Sequence, residues 1–391
     1  MSKKSDIVII GGGPSGLHAA RLLSSSGVSV CLLEEHKQLG FPVHCTGVLA
    51  AEAFDEFDLP RSAILNELHT LRVYSPSGNS VAYTTPRTEA LVVDRGVFDS
   101  WLSESAQRTG VNILSGTRAI NIRIREMGVV VETAAGVQIE ALGCILASGA
   151  NYGLQLRLGL GFPELYLKSA QIEVPSKKPR DVEIHLGSLV APRGFAWAVP
   201  VHRKEGIFCK IGLMCDGDAE TCFRLFFERL ANAWGLSDSD VRPRIKILPL
   251  APIPQTVRDR ILVIGDAAGR VKPTTGGGIY YSLVSAELAA GVFSRAIKTG
   301  DFSSRFLQEY ETLWQNKVSA EVEAQLTLRA AISKLTDNAM DELVELARTD
   351  GILPLVRKTA KFNEHRHFIS ALLGHQDARK ILFGKIRATF T

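Results

Sequence analysis

The chain lacks the cysteine arrangements that carry chemistry by themselves. Its six cysteines are Cys31, Cys45, Cys144, Cys209, Cys215 and Cys222, and no two form a CxxC pair. That spacing argues against the usual zinc and redox-dithiol motifs. None follows Cys222, so a C-terminal iron–sulfur cluster would have no ligands. No apolar stretch reaches the ~20 residues that span a bilayer. The opening "MSKKSDIVII" has no signal-peptide layout, because its apolar run is short and leads straight into glycines. Free thiols and a cytoplasmic location are the expectation. The formal net charge is only +4, which gives no reason to expect nucleic acid.

What is present is ample apolar material: 46% of the 391 residues are hydrophobic and 22% are charged, a globular composition. The length suits two or three domains, or one large domain with an inserted lobe. Charge is uneven. Residues 351–391 hold eight Lys or Arg against two Asp or Glu. Taking that surplus of six from +4 leaves −2 for the rest. A basic C-terminus suits an anionic lipid surface or a phosphorylated substrate, and equally a plain solvated helix face.

"DIVII" at 6–10 is a short β-branched run of the buried parallel type, followed at once by "GGGPSG", a helix-periodic "LHAARLLSS" and a second strand "VSVCLLE". Cys31 and Cys144 sit inside apolar strands and read as core filler. Residues 60–93 are strand-rich, with a turn at "SPSGN". "DRGVFDSWLSESAQRTG" reads as a helix entered through Asp94 and stopped at Gly110. Two further strands run into glycine turns, "GCILASGA" and "RILVIGDAAG". Residues 152–249 are strand-like around one helix, "AETCFRLFFERLANAWG", and nearly everything from Tyr280 onward is helical. The expected fold is α/β (α+β overall). A Rossmann-like nucleotide domain is assembled from 1–59, 94–151 and 255–320. A substrate domain on an antiparallel sheet is inserted at 60–93 and 152–254, and 321–391 form a helical C-terminal region.

Gly11-x-Gly13-x-x-Gly16 stands in its confirming context, a strand before and a helix after. Gly11 permits the tight turn, Gly13 lets backbone approach a pyrophosphate, and Gly16 allows helix–strand packing. The pyrophosphate would lie at the helix N-terminus. Glu34 ends the second strand, placed to accept bonds from ribose hydroxyls and to repel a 2′-phosphate, so FAD or NAD is favoured over NADP. Later, "LVIGDAAGRVKPTTGGGI" delivers Asp266 at a glycine turn, then Pro273 and three glycines that open a helix. That helix terminus at 276–278 suits developing negative charge.

Both glycine motifs and their order resemble the FAD-binding domain of p-hydroxybenzoate-hydroxylase-like flavoproteins, and within them the geranylgeranyl reductase family. "VDRGVFDSWL" is similar to the family's arginine-bearing helix, "HCTGVLA" to its cysteine–glycine loop beside the isoalloxazine ring, and "GDAAGRVKPTTGGGIYYSLVSAELAA" to its later FAD segment. The resemblance implies FAD lined by Gly11, Gly13, Ser15, Gly16, Glu34, Cys45, Thr46, Gly47, Arg95, Asp266, Pro273, Gly277, Gly278 and Ile279, with a backbone contact from Ala119 to adenine. "PRGFAWAVP" resembles the family's PxxYxWxFP pattern, keeping Pro192, Trp197 and Pro200 but carrying Phe195 for Tyr and Val199 for Phe. Phe195 and Trp197 fall on one face of a strand. Such a strip suits a flat ring or a polyprenyl chain, and serves equally as sheet core. From about residue 320 the resemblance is loose.

The implied function is an FAD-dependent reductase of isoprenoid double bonds, with Cys45, Trp197 and Phe195 as its catalytic residues. Cys45 is the candidate proton donor and His44 a second one. No second GxGxxG appears, so the external reductant is NAD(P)H docking transiently or a reduced electron-carrier protein. An isoprenoid lipid is the expected partner, with peripheral membrane contact through the basic helical C-terminus. A monooxygenase or halogenase of the same fold is the alternative; the absence of lysine between Lys37 and Lys168 argues against halogenation. A non-catalytic flavin-binding electron-transfer protein is the third reading. No metal is expected.

Overall fold

The β-branched run at 7–10 lies in the middle of a sheet in the computed structural model, which describes residues 2–236, 242–349 and 351–384. The chain divides into two compact units. The first comprises Met1–Val43, Arg95–Tyr166 and Pro249–Ser319; the second comprises His44–Asp94, Leu167–Leu248 and Ala320–Thr391. The break falls at 43/44, not at the expected 59/60. The C-terminal helices cluster with the second unit instead of standing apart as the expected third region.

In the first unit, strand Ser2–Ile10 pairs in parallel with Gln138–Leu146 on one side and Val30–Leu33 on the other. Ile261–Val263 and Asn112–Leu114 extend this parallel core. Continuous apolar runs are what a strand covered on both faces requires. On one face Val8, Ile10, Cys31, Leu33, Cys144 and Leu146 pack with Ile122, Val129 and Val131 of an antiparallel hairpin. Helix Pro14–Ser25 packs against helices Arg95–Arg108 and Ile279–Thr299. Cys31 and Cys144 are buried core thiols, and burial pushes the Cys144 thiol far up.

In the second unit, seven strands run in the order Arg244–Pro249, Tyr166–Pro175, Gly206–Cys215, Phe195–Arg203, Val182–His185, Thr70–Tyr74, Ser80–Thr84. The central pairs are antiparallel, and Val182–His185 joins Thr70–Tyr74 in parallel. Alternation divides its faces. Ala196, Ala198, Cys209, Ile211 and Leu213 meet helix Ala219–Trp234 through Phe223, Phe226 and Trp234. Trp197, Val199, Val201 and Phe208 form the opposite face. That helix is capped by Asp218, which accepts from the Glu220 and Thr221 N–H groups, and ends at Gly235 in the left-handed region. The C-terminal helices have their own core around Leu328, Ile352, Ile369 and Leu372. Asp341 and Asp337 tie them to the sheet by accepting from backbone and hydroxyl of Ser77 and Ser188.

Candidate functional site

The first glycine motif is a turn that the protein's own packing demands. Gly11 has φ +113°, and a Cβ there would overlap the Ala147 carbonyl oxygen. A Cβ at Gly16 would overlap the Gly11 carbonyl, so the helix can sit on the turn only with glycine at this position. Gly13 differs: a Cβ there would meet open space. Helix Pro14–Ser25 begins with Pro at its first turn and has no side-chain cap. Uncapped N–H groups beside open space are what a phosphate requires. Ser15 is buried, 2.6 Å from where a Cβ on Gly265 would lie, so the first and later glycine motifs meet there.

Glu34 closes the turn. Its Oε2 accepts from the Gly12 N–H at 2.7 Å, and its Oε1 accepts from the His36 N–H at 2.8 Å and lies 2.6 Å from His36 Nδ1. A carboxylate offers about four acceptor positions, so one is left for a ribose hydroxyl. Thr117 donates its N–H to the Glu34 carbonyl, and Ala119 starts the strand just beyond.

Arg95 opens helix Arg95–Arg108 and grips Asp99 through Nε and Nη2, the shortest bond being 2.8 Å. Asp266 opens the turn after strand Ile261–Val263. Burial pushes its carboxyl up to about 6, and the nearby Arg95 charge opposes that rise. A Cβ on Gly278 would overlap Asp266 Oδ1. The 272–278 loop folds on itself, with the Lys272 N–H donating to the Gly277 carbonyl at 3.1 Å. Gly278 then caps helix Ile279–Thr299 with no side chain, leaving a second unblocked N-terminus. Gln155 Nε2 donates to the Ala267 carbonyl at 2.7 Å and Tyr152 Oη to the Asp266 carbonyl at 3.1 Å, fixing the turn from behind. The open Gly13 face, two uncapped helix starts and a strand-end carboxylate fit FAD.

The second unit carries the cysteine loop. Gly47 has φ +75°, and its N–H donates to Cys45 Sγ at 3.3 Å. Thr46 Oγ1 donates to Gln171 Oε1 at 2.9 Å, and Gln171 Nε2 donates to the His44 carbonyl. Lys210 Nζ donates to the Thr46 carbonyl at 2.8 Å and to the Val93 carbonyl at 3.3 Å. Beneath the loop, Gln171, Gly212 and Trp197 form one row across three strands, and Ser169, Met214 and Phe195 the next. Phe195 and Trp197 share that face with ring centroids 5.8 Å apart. A Cβ on Gly212 would lie 2.6 Å from Trp197 Cζ2, so the glycine makes room for the indole. Among the described residues no cluster of His, Cys, Asp or Glu could hold a metal ion.

Residues 6–150 match the family model for FAD dependent oxidoreductases. The chain is 30% identical over 353 residues to digeranylgeranylglycerophospholipid reductase 2 of Methanothermobacter thermautotrophicus, covering 87% of this chain and 91% of that protein. It is 29% identical to the digeranylgeranylglycerophospholipid reductase of Methanocaldococcus jannaschii, covering 87% and 90%. The chain belongs to the geranylgeranyl reductase family. A crystal structure of a geranylgeranyl bacteriochlorophyll reductase-like protein from Thermoplasma acidophilum has the same fold, with TM-score 0.85, 22% identity and coverage of 99% and 100%. The halogenase PltM in complex with phloroglucinol and FAD shares the fold at TM-score 0.69 and 17% identity, covering 98% and 92%.

As a geranylgeranyl reductase family member the protein is an FAD-dependent oxidoreductase. Its fold is the mixed α/β arrangement read from the sequence. Sequence reasoning missed Lys210, Gln171 and Gly212. The signal for Lys210 was one charge inside the apolar run "GIFCKIGLMC", and for Gly212 a glycine opposite a tryptophan in register. No described helix is long and apolar enough to cross a membrane. Of the basic C-terminal residues, Lys361 and Lys380 pair locally with Glu364 and Asp377, while Lys385 and Arg387 lie outside the described residues.

Proposed function

We propose that the protein saturates carbon–carbon double bonds in the isoprenoid chains of an anionic glycerophospholipid precursor. The observation that carries this reading is the likeness to digeranylgeranylglycerophospholipid reductase 2, which runs over nine-tenths of that protein's length and not over the nucleotide motif alone. FAD, when bound and reduced, would supply the hydride. The chain's residues supply the rest. Gly11, Gly13, Ser15 and Gly16 hold the pyrophosphate at the helix start, and Glu34 holds the ribose. Arg95, Asp266 and the 273–279 segment bind the flavin end, and Ala119 gives the adenine a backbone contact.

The loop Cys45, Thr46, Gly47 is assigned to the flavin by its resemblance to the family's cysteine loop. Cys45 Sγ carries the proton delivered to the alkene, and the Gly47 N–H, 3.3 Å from the sulfur, orients it. An unactivated alkene offers little electronic help, so positioning and exclusion of water must do most of the work. The half-buried Phe195 and Trp197 rings are suited to an apolar chain, while Val199 and Val201 beside them are buried against Val92. Electrons enter from NAD(P)H or a reduced carrier protein, and the basic C-terminal helices bring the protein to an anionic lipid surface.

The test is anaerobic. Holoenzyme is photoreduced and mixed with digeranylgeranylglycerophospholipid. Reoxidation of the flavin without oxygen, with a product heavier by one hydrogen molecule per bond, is expected. Reoxidation only when oxygen is admitted overturns the reading in favour of oxygenation.

A further inference from the structure

Lys210 is an odd occupant of its strand. Its neighbours Cys209 and Ile211 point into the core beneath helix Ala219–Trp234, while Lys210 shares the Trp197 face and is only 4% exposed. The Glu173 carboxylate is 3.9 Å from its ammonium. Glu173 is itself gripped by the Arg203 guanidinium, which also reaches Asp94 at 2.6 Å. The Lys210 ammonium donates to two main-chain oxygens, those of Thr46 and Val93. A desolvated ammonium is costly, and methionine would fill the same space without a charge. The lysine's bonds to the Thr46 and Val93 carbonyls tie the strand to the residues beside the cysteine loop.

What it holds is the loop around Cys45. Gln171 spans the cysteine, donating to the carbonyl on its N-terminal side and accepting from the hydroxyl on its C-terminal side. Lys210 fixes the Thr46 carbonyl. Three bonds thus bracket Cys45, all from adjacent rows of one sheet. Glu173 pairs with Lys210 across the strands as Gln171 pairs with Gly212, and Gly212 in turn pairs with Trp197. The missing Cβ of Gly212 brings the Gln171 stem and the Trp197 ring together, since that Cβ would be 2.8 Å from one and 2.6 Å from the other. The same rigid strands therefore carry the loop's anchors and the aromatic face.

We propose that Lys210 and Gln171 are positioning residues that clamp the 44–47 loop and so fix the Cys45 thiol relative to the Trp197 face. This rests on the catalytic role assigned to Cys45 above. The experiment compares wild-type holoenzyme with Lys210→Met, Lys210→Arg and Gln171→Leu. Bound FAD, the rate of Cys45 alkylation by iodoacetamide read on its own peptide, and kcat and KM for lipid reduction are measured for each.

Lys210→Met is expected to keep FAD and to change the alkylation rate by about tenfold, and its kcat should fall about tenfold to a hundredfold with KM little changed. Lys210→Arg, which can still donate to both carbonyls, should recover most of both losses. Should Lys210→Met fail to fold, Gln171→Leu tests the same clamp without unburying a charge. An alkylation rate equal to wild type in the folded variants overturns the clamp. A changed alkylation rate with unaltered kcat supports the clamp and instead overturns the catalytic role of Cys45, so the two failures are distinguishable.

Discussion

Replacing Asp266 with asparagine should stabilise the FAD-free protein at neutral pH. Burial raises the Asp266 carboxyl from 3.8 to about 6, against the opposing charge of Arg95. A folded-state value above the unfolded one means that the fold binds the proton more tightly than the open chain does. Stability is then highest when the group is protonated, falls as pH rises from about 4 through about 6, and levels off above. At pH 7 the ionised, buried carboxylate costs about 3 kcal/mol, and at pH 5 the same relation gives roughly half of that. Asparagine keeps the shape and removes the charge. The assay is urea unfolding of wild type and Asp266→Asn without FAD, at pH 7 and pH 5, comparing midpoints at constant slope. Other carboxylates titrate in both proteins and cancel in the difference. The variant should gain about 3 kcal/mol at pH 7 and roughly half of that at pH 5. Equal stability of the two proteins at both pH values, or a gain that does not shrink on acidification, would refute the reasoning. FAD affinity should move the other way, because the site then lacks the carboxylate that the reading assigns to the flavin end.

Two further predictions rest on packing. Gly13→Ala places its methyl in open space and should leave FAD-free stability within about 0.5 kcal/mol, yet weaken FAD binding at least about tenfold; Gly16→Ala collides with the turn and should lose the fold itself. Thermal unfolding and flavin titration on both variants separate the two roles. Arg270 is 2% exposed, 2.5 Å from Glu311 and with its guanidinium 4.3 Å from the Trp314 ring centre. Arg270→Ala leaves Glu311, among the described residues, with the Thr256 hydroxyl as its remaining hydrogen-bond donor, and should cost about 3 kcal/mol in urea unfolding.

The parts legible in the sequence are those fixed by local sterics. Gly11 could be read because its turn forbids a side chain, and Gly16 because the helix must touch the strand. Asp266 followed from a strand ending in a glycine turn. The shared face of Phe195 and Trp197 followed from the two-residue repeat of a strand. Other features depend on residues far apart in the chain. Lys210 acts on Thr46, 164 positions earlier, and Gln171 on His44, 127 positions earlier. Asp341 reaches back 264 positions to Ser77, a link that local periodicity does not encode, so from sequence the C-terminal helices read as a separate region.

The same contrast separates the proposed nucleotide site from the proposed catalytic loop. A nucleotide cradle can be built from one continuous turn, since main-chain N–H groups and a helix start suffice to recognise a phosphate. Holding a thiol at a defined place is harder, because a loop has no ladder of its own to fix it. Here the loop borrows rigidity from a sheet by taking three side-chain bonds from Gln171 and Lys210. A desolvated lysine is tolerated at that point because the alternative, an apolar residue, would leave the Thr46 and Val93 carbonyls with one donor fewer at the very residues that flank the loop. Precision at Cys45 is thus bought with a buried charge, and the rows that carry that charge are continuous with the aromatic face assigned to the substrate.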